Sequence, residues 1–388
     1  MRFSRGLSVI GLLAVGGVAS AADAPATPAA PAAPVPSFAD MLTNWGLTTS
    51  GYVAASYYAS NGYPGGGDGG LALHQFDTHH NTFQLDEAGL QIAYQPKTGF
   101  GALVDVIAGE DARILNSAEG GSGTFDIRQA FIQYATGPLT LIGGKFVTLA
   151  GAEVINPTAN TNFSRSLLFF ESEPLTHTGL RATYAASDTL NLIAGINNGW
   201  NTTTTDYGSK TGEAGVAWTP NKIFSLTAQA YFGKAGSYSA FDAERTLIDV
   251  VATYNATSSL TLVVNADWDQ QQDGVTDASG NTHSATWGGI AGYVNYAFND
   301  QWRVSTRIEY FDDKDGFNTG VDQHLWEGTV TFGYSPVKSF ELRGEFRYDT
   351  SQAAGFLRGI QPRATYGSSL SEIAIQGVYK FAAPPPAP

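Results

Sequence analysis

The sequence of 388 residues has a formal net charge of −14 but only 14% charged residues, whereas soluble proteins carry about a quarter. The acidic balance argues against a nucleic-acid-binding protein, because phosphate binding requires a basic surface. The absence of cysteine excludes disulfides and thiolate metal sites, while 45 glycines and 12% aromatic residues favour a membrane β-barrel.

The start of the chain has the three parts of an export signal. Arg2 and Arg5 precede an apolar stretch at residues 7–18, and the ASA at 19–21 provides a cleavage pattern of small residues. We therefore predict a signal peptide over residues 1–21.

Two segments flank the predicted folded region. Residues 22–37 are rich in Ala and Pro and predict a semi-extended linker, and residues 382–388 predict a Pro-rich tail. The barrel domain is predicted over residues 38–381. No segment after the signal approaches the roughly 18–20 apolar residues that a membrane helix needs.

The chain offers few candidates for metal-binding or catalytic motifs. His74, His79 and His80 lie near Asp77, but the glycine-rich run at 65–70 favours a solvated loop over a metal site. The aspartates between residues 267 and 277 lack the spacing of a calcium loop and its terminal Glu. No Gly-x-Ser-x-Gly elbow, phosphate loop or zinc helix signature is found. The sequence therefore predicts no catalytic residue, no metal site and no cofactor.

Many segments alternate apolar with polar or small residues, which is the period of a strand with two different faces. In residues 340–349, for example, aromatic and aliphatic side chains or Gly alternate with Glu, Arg and Asp, and residues 302–310 behave similarly. The apolar rows begin or end with aromatic residues, which is typical of the girdles at two membrane interfaces. Charges at mid-strand fit a wet lumen.

The connections between these segments are of two kinds in strict alternation. Seven are short turns containing Gly, Pro, Asn, Asp or Ser, and eight are long polar loops, among them residues 149–174 and 271–285. This order predicts an all-β fold, a transmembrane antiparallel β-barrel of about 16 strands with short periplasmic turns and long external loops. A closed barrel pairs every backbone polar group in lipid, and a barrel of this size leaves an aqueous channel.

The third long loop, residues 149–174, contains apolar residues that need burial. We predict that it folds inward and narrows the channel; an external cap and a contact with a neighbouring subunit remain alternatives. Alternation also places Lys145 inward and Phe146 outward. The predicted pore-constriction and lumen residues are Lys145, Glu153, Arg165, Glu171, Glu173, His177, Arg181, Arg303, Arg307, Arg343 and Arg347.

The four arginines at 303, 307, 343 and 347 have two interpretations. In the first, they face acidic loop residues across water and filter solutes by charge. In the second, they pair with interleaved carboxylates and brace the wall, the candidate partners being Glu309, Glu341 and Glu345. Inward carboxylates are as numerous as the bases, so the sequence favours neither cations nor anions.

Four stretches of the sequence resemble the β-barrel porin-2 family of Gram-negative outer-membrane proteins. They are GKF at 144–146, EVINP at 153–157, EPLTHTGLR at 173–181 and VYKF at 378–381. The resemblance covers nearly all of the mature chain, mostly as architecture, and implies an outer-membrane pore. The final VYKF resembles the signal read by the barrel-assembly machinery, although such proteins usually end at the aromatic residue.

These features predict an exported, non-enzymatic outer-membrane porin through which small hydrophilic solutes or ions diffuse. The predicted partners are outer-membrane lipids, those solutes and the barrel-assembly machinery at the terminal strand; a homotrimer is left open, and nucleic acid is not expected. Three other interpretations remain: a barrel enzyme that hydrolyses lipid, a plugged structural or adhesion barrel, and a soluble β-sandwich.

Overall fold

The computed structural model describes residues 45–62, 73–205, 208–234, 243–277, 279–353, 355–358 and 365–382. The predicted signal peptide, the linker, the glycine-rich run at 65–70 and all but the first residue of the predicted tail lie outside the described residues. Their assignments stay predictions.

Sixteen strands in the described part of the chain form one closed antiparallel barrel, in agreement with the predicted number. The barrel strands are β1 (Thr48–Ser60), β2 (Thr82–Tyr94), β3 (Gly99–Ala108), β4 (Phe125–Thr136), β5 (Leu139–Val147), β6 (Thr176–Ser187), β7 (Leu190–Asn197), β8 (Thr211–Trp218), β9 (Phe224–Lys234), β10 (Glu244–Asn255), β11 (Leu260–Thr276), β12 (Thr282–Ala297), β13 (Trp302–Asp313), β14 (Gln323–Val337), β15 (Phe340–Ser351) and β18 (Ser369–Ala382). The barrel closes where β18 pairs with β1, with Tyr52 opposite Lys380 and Ser60 opposite Glu372. Closure leaves no open sheet edge to face lipid.

The two faces of the wall differ as the alternation predicts. On β15, Leu342 and Phe346 are exposed on the outer face, whereas Arg343 and Arg347 are buried inside. The apolar outer face suits the hydrocarbon of a bilayer, because lipid can cover it without loss of hydrogen bonds.

Aromatic side chains gather on the outer face near both ends of the strands. Those near the short turns are Tyr94, Phe100, Tyr134, Tyr184, Trp218, Tyr254, Tyr296, Trp302, Tyr379 and Phe381. Those near the long loops are Phe83, Phe125, Phe232, Trp326 and Tyr348. Two aromatic belts mark the two membrane–water interfaces.

The long loops carry short elements of their own. The loop between β3 and β4 contains α1 (Glu110–Ala118), and the loop between β5 and β6 contains a 3₁₀ turn (Pro157–Ala159) and α2 (Leu167–Glu171). The last long loop carries a separate hairpin of β16 (Phe356–Arg358) and β17 (Thr365–Gly367). Within the described ranges, no helix has the length and apolar character to cross a membrane.

The prediction of a long loop over residues 271–285 was wrong. Residues 271–285 are mostly strand, since β11 continues to Thr276 and β12 begins at Thr282. The two strands stay paired across a register irregularity between Gln271 and Val275, so polar residues of this hairpin lie in a ladder. Polar composition at the end of a strand therefore concealed its continuation.

Candidate functional site

Residues 148–175, called loop 3 below, connect β5 to β6 and lie against the inner side of the barrel. Near its start, the Leu149 amide donates to Tyr231 Oη on β9 (3.1 Å). The Ala152 amide donates to Asn265 Oδ1 on β11 (2.7 Å). The loop thus crosses from its own strands toward the opposite wall.

Loop 3 is ordered by caps within its own sequence. Asn156 Oδ1 accepts from the Thr158 amide (2.9 Å), and Pro157 supplies the fixed φ that suits the first position of a helical turn. Ser166 Oγ accepts from the Phe169 amide (3.1 Å) and begins α2. These caps satisfy amides that burial inside the barrel would otherwise leave without water.

Arg165, a predicted lumen charge, is buried inside loop 3 itself. Its guanidinium donates to three carbonyl oxygens of the same loop, those of Val154 (3.0 Å), Ile155 (2.8 Å) and Phe163 (2.7 Å). The planar fork of donors therefore holds two distant parts of the loop together.

The predicted arginines of β13 and β15 point at the backbone of loop 3. Their donor–acceptor pairs are Arg303 to Thr161 O (2.7 Å), Arg307 to Ser164 O (2.9 Å), Arg343 to Pro157 O (3.0 Å) and Arg347 to Arg165 O (2.6 Å). Carbonyl oxygens buried against the wall need such donors, because no water replaces them there.

Glutamates of the same two strands accept hydrogen bonds from loop 3. Glu345 on β15 accepts from the amides of Phe163 (2.6 Å) and Ser164 (2.9 Å). Glu309 on β13 accepts from the amides of Leu167 and Leu168, each at 2.7 Å. Charge-assisted bonds of this kind are about twice as strong as neutral ones. The wall therefore donates to the carbonyl oxygens of loop 3 and accepts from its amides.

The same arginines also form ion pairs with carboxylates. Arg307 pairs with Glu327 on β14 (2.8 Å) and with Glu153 of loop 3 (2.7 Å). The further pairs are Arg303 with Glu341 (2.6 Å), Arg343 with Glu341 (2.8 Å) and Arg347 with Asp349 (2.8 Å). Since the side chains of Arg307, Arg343 and Arg347 are at most 2% exposed, this geometry favours the bracing interpretation over an open charged wall.

Apolar packing adds to these polar contacts. Leu167 and Leu168 of α2 are fully buried against Trp287, Phe311 and Leu325 of the wall. Burying such side chains stabilises the contact by about 1.5–3 kcal/mol each. The apolar residues that predicted an inward loop therefore have the wall as their partner.

His177 and Arg181 face inward on β6, as predicted, but Phe146 does too. The Arg181 guanidinium lies 4.2 Å from the centre of the Phe146 ring and pairs with Glu213 at 2.8 Å. The His177 ring stacks on Tyr231 at 4.7 Å. The outward orientation predicted for Phe146 was wrong, because the register places it opposite His177 on the same face.

Lys145 lies beside Phe146 but does not reach loop 3 in these contacts. Its Nζ pairs with Glu119, which follows α1, at 2.6 Å and with Asp126 on β4 at 2.8 Å. Glu119 also accepts from Thr176 Oγ1 (2.6 Å). Lys145 therefore links the second long loop to the rim of the barrel.

Glu171 and Glu173 are acids near the end of loop 3; Glu171 is half-buried and Glu173 is buried. Burial, reinforced by Asp313, raises the pKa of Glu171 to about 8. Burial, followed by the charge of Asp249, also raises the pKa of Glu173 well above its ordinary value. Neither carboxylate forms an ion pair within the described ranges.

The first long loop contributes a site that the sequence interpretation missed. His74 Nδ1 lies 2.6 Å from Asp77, and Nε2 lies 3.4 Å from Asp349 on β15. The predicted solvated loop was wrong for His74 and Asp77, which are both buried. The signal was present in Leu73 and Phe76, since apolar residues of an external loop need burial just as those of loop 3 do.

The family comparison follows from this architecture. A family model described as "Putative beta-barrel porin-2, OmpL-like" matches residues 46–381. The chain belongs to this family. It is a passive channel of the outer membrane, and the resemblance seen in the sequence is confirmed. No protein with a curated description matches this porin.

Solved outer-membrane channels share the fold of this porin. The channel DcaP of Acinetobacter baumannii has a TM-score of 0.58 at 11% identity, covering 86% of this chain and 97% of its own. OmpT of Vibrio cholerae in its trimer form has a TM-score of 0.58 at 15% identity, covering 86% and 99%. The anion-selective porin from Comamonas acidovorans has a TM-score of 0.56 at 12% identity, covering 86% and 99%.

Two cavities in this porin lie on the side of loop 3 that faces β2–β4. One cavity opens at the short-turn end beside Lys338 and Lys380, and a deeper one reaches Leu175. Both are lined by Gln91, Arg128 and Asn156. A third cavity at the long-loop end also reaches Leu175 and is lined by Glu171, Glu173, Trp200 and Arg245.

Proposed function

We propose that loop 3 is the constriction of this porin and that small hydrophilic solutes or ions pass between loop 3 and the wall of β2–β4. The observation that carries the proposal is the set of hydrogen bonds by which β13 and β15 hold the loop backbone. A loop fixed to one side of a barrel narrows the lumen without closing the other side.

The cavities support a route along that other side. Consecutive cavities share lining residues, first Gln91, Arg128 and Asn156, then Leu175. The residues that two cavities share are where a passing solute meets the loop and the wall together. We place the narrow part of the route at Asn156 and Arg128.

The proposal assigns no catalytic step to the barrel. His177, the only histidine among the predicted lumen residues, contacts the Gly199 carbonyl (3.1 Å) and stacks on Tyr231. A lipid hydrolase requires a nucleophile hydrogen-bonded to such a base, and among the described residues His177 forms no hydrogen bond with a serine. A phospholipid-hydrolysis assay on the refolded protein is expected to show no activity above the buffer control.

We further propose that three copies associate in the membrane. The support is the shared fold with OmpT, one solved structure of which is described as the trimer form. The same proposal assigns outer-membrane lipids to the apolar outer face and the barrel-assembly machinery to β18, the strand that closes the barrel. Cross-linking in native outer membranes is expected to yield a trimer; a single monomer band would contradict it.

The constriction is testable because the chain contains no cysteine and therefore no background thiol. In Asn156→Cys, a charged methanethiosulfonate reagent is expected to lower single-channel conductance in planar bilayers. The matched variant is Thr331→Cys, a fully buried position on β14 whose hydroxyl bonds Asn162 of loop 3 (2.7 Å). It is expected to show no response.

Two results would contradict the proposed route. One is a conductance that stays unchanged after complete labelling of Asn156→Cys. The other is rapid labelling of Thr331→Cys, because it would show that loop 3 does not lie against β14. Reversal potentials in a salt gradient, recorded on the same channels, then measure the ion preference.

A further inference from the structure

Three buried carboxylates meet where loop 3 leaves the barrel wall. Glu173 belongs to the end of loop 3, Asp249 to β10 and Asp267 to β11. One carboxylate oxygen from each lies within 4.8 Å of the others. All three residues are at least nine-tenths buried.

Asn265 holds the two aspartates in a defined orientation. Its Nδ2 donates to Asp249 Oδ2 (2.9 Å) and to Asp267 Oδ1 (3.2 Å), while its Oδ1 accepts from the Ala152 amide (2.7 Å). Asn265 therefore holds each aspartate through one oxygen. Because Asn265 also accepts from the Ala152 amide, its side chain fixes Asp249 and Asp267 to the start of loop 3.

Among the described residues, the remaining oxygens of the cluster have no hydrogen-bond partner. They are Asp249 Oδ1, Asp267 Oδ2 and both oxygens of Glu173. No ion pair of the described residues involves these three carboxylates. Buried carboxylates without partners are costly, so four such oxygens in one place favour a cation-binding site over a structural network.

The backbone of Gly151 lies very close to the Glu173 carboxylate. Gly151 has φ +88°, and a Cβ placed on it would lie 1.9 Å from Glu173 Oε2. Gly151 and Glu173 belong to opposite ends of loop 3. Their contact forms the neck of the loop, defined here as residues 149–152 together with 173–175.

We infer that Glu173, Asp249 and Asp267 bind a Ca²⁺ ion that ties the neck of loop 3 to β10 and β11. The donor set is entirely carboxylate oxygen, which suits hard cations and not the nitrogen or sulfur preference of zinc. Ca²⁺ accepts flexible sets of six to eight oxygens, including bidentate carboxylates, and the two free oxygens of Glu173 can supply such a bidentate ligand.

The ion would act as a bond between loop and wall that neither can make alone. Three carboxylates repel one another without a cation, so removal of Ca²⁺ is expected to loosen the neck. The effect on conduction rests on the proposed constriction, whereas Ca²⁺ binding itself does not depend on it.

The test uses full mature chain refolded from denaturant in detergent, because such protein carries no lipopolysaccharide to bind Ca²⁺. After treatment with EGTA and its removal, titration calorimetry with CaCl₂ is expected to give one site per chain. Glu173→Gln and Asp267→Asn should each weaken binding by about tenfold or more, since disturbed metal sites lose affinity on that scale. Glu244→Gln, an exposed acid at the start of β10, is the matched control and should bind as the wild type does.

The inference is overturned if millimolar CaCl₂ gives no binding, or if the two site variants bind as Glu244→Gln does. Glu173→Gln lies in a loop and keeps the test usable if Asp267→Asn does not refold. Failure here is distinct from failure of the proposed function, because the Asn156→Cys block is recorded by conductance and needs no Ca²⁺.

Discussion

Two sectors of the barrel wall, one at β4 and one at β13 and β15, use their buried arginines differently. On β4, Arg128 pairs with Asp105 (2.8 Å) and Glu87 (2.8 Å) and donates to Tyr52 Oη (2.7 Å), all of them residues of the wall. On β13, Arg307 divides its donors between wall and loop 3. The bonds of Arg128 stay within the wall, whereas those of Arg307 reach loop 3.

This difference explains where the open space lies. A wall that satisfies its own charges offers the loop no hydrogen-bond partners, and the cavities lie beside Arg128. A wall that leaves donors and acceptors unmatched needs the loop backbone to complete it. The distribution of partners, rather than the sign of the charge, decides which side of the lumen is filled.

The largest expected effect comes from removing the arginine that joins both structures. Arg307→Ala leaves Glu153 buried without its cation and leaves Glu327 with Arg347 alone, at 4.0 Å. Breaking a buried pair costs about 3–5 kcal/mol. We expect loop 3 to detach and Arg165, which is otherwise buried, to become accessible. Trypsin added to the folded protein in vesicles should then cut at Arg165, as read by mass spectrometry.

Arg128→Ala is the matched control for that comparison. It also leaves buried acids without a cation, so barrel stability should fall, but none of the bonds described for Arg128 reaches loop 3. Folded protein, selected by its heat-modifiable mobility in gels, should resist trypsin at Arg165. Equal cleavage in both variants would show that the two sectors do not differ in the way described here.

A smaller effect is expected from Glu345→Gln on β15. The amides of Phe163 and Ser164 donate to different oxygens of Glu345, and in Gln an NH2 group that cannot accept replaces one of them. One of the two bonds is therefore lost, and bonds to charged groups contribute about 1.5–3 kcal/mol. The midpoint of urea unfolding in detergent should therefore move to a lower urea concentration. Glu341→Gln is the control, since Glu341 pairs with Arg303 and Arg343 but accepts from no loop amide in the described bonds. If trypsin cuts loop 3 faster in Glu341→Gln than in Glu345→Gln, the acceptors have been misassigned.

The sequence was sufficient for the barrel because its signal is repeated along every strand. Alternation on β15 and the turn residues around it reflect lipid on one side and protein or water on the other, and each strand repeats that constraint. The strand number and the inward series of arginines followed from this period. The Phe146 error occurred at Gly144, where φ is +139°, a local backbone change that alternation does not encode.

The partners inside the barrel could not be predicted in the same way. Arg347 and Arg165 are 182 residues apart, and nothing in either neighbourhood indicates that one donates to the carbonyl of the other. Because every residue has a backbone carbonyl, the residue type at the acceptor position does not reveal such a bond. The acidic cluster at Glu173 is likewise formed by three separate elements, so no local spacing could reveal it.

A pH-dependent effect is expected at His74. Burial and Arg347 oppose its protonation, but Asp77, from its own loop, and Asp349 on β15 outweigh them, so its pKa is raised above the ordinary value. Glu372 on β18 also lies 3.9 Å from the ring. A raised histidine pKa stabilises the fold below the unfolded pKa of about 6.5, and this contribution is lost as pH rises through the folded pKa.

The measurement is urea unfolding of the wild type and of His74→Asn between pH 6 and pH 9. The advantage of the wild type should be largest at the acidic end and should shrink toward the alkaline end. His283→Asn, at an exposed position on β12, should give a constant difference over the same range. An advantage of the wild type that grows with pH would mean that His74 is neutral in the folded state.

The smallest effect is expected at Lys145, which lies outside both arginine sectors. The side chains of Lys145, Glu119 and Asp126 keep a small exposed fraction at the rim of the barrel, so water and salt reach these pairs more easily than the fully buried pairs of Arg307. Lys145→Met should therefore lower stability slightly at low salt and much less in 1 M NaCl. Lys210→Met removes a lysine whose described bond is to the neighbouring Ser209 carbonyl, and it should show neither change. If Lys145→Met instead exposed loop 3 to trypsin, the second long loop would have to support the constriction. The distinction between the Arg128 wall, whose bonds stay within the wall, and the Arg307 wall, whose bonds reach loop 3, would then no longer explain how loop 3 is held.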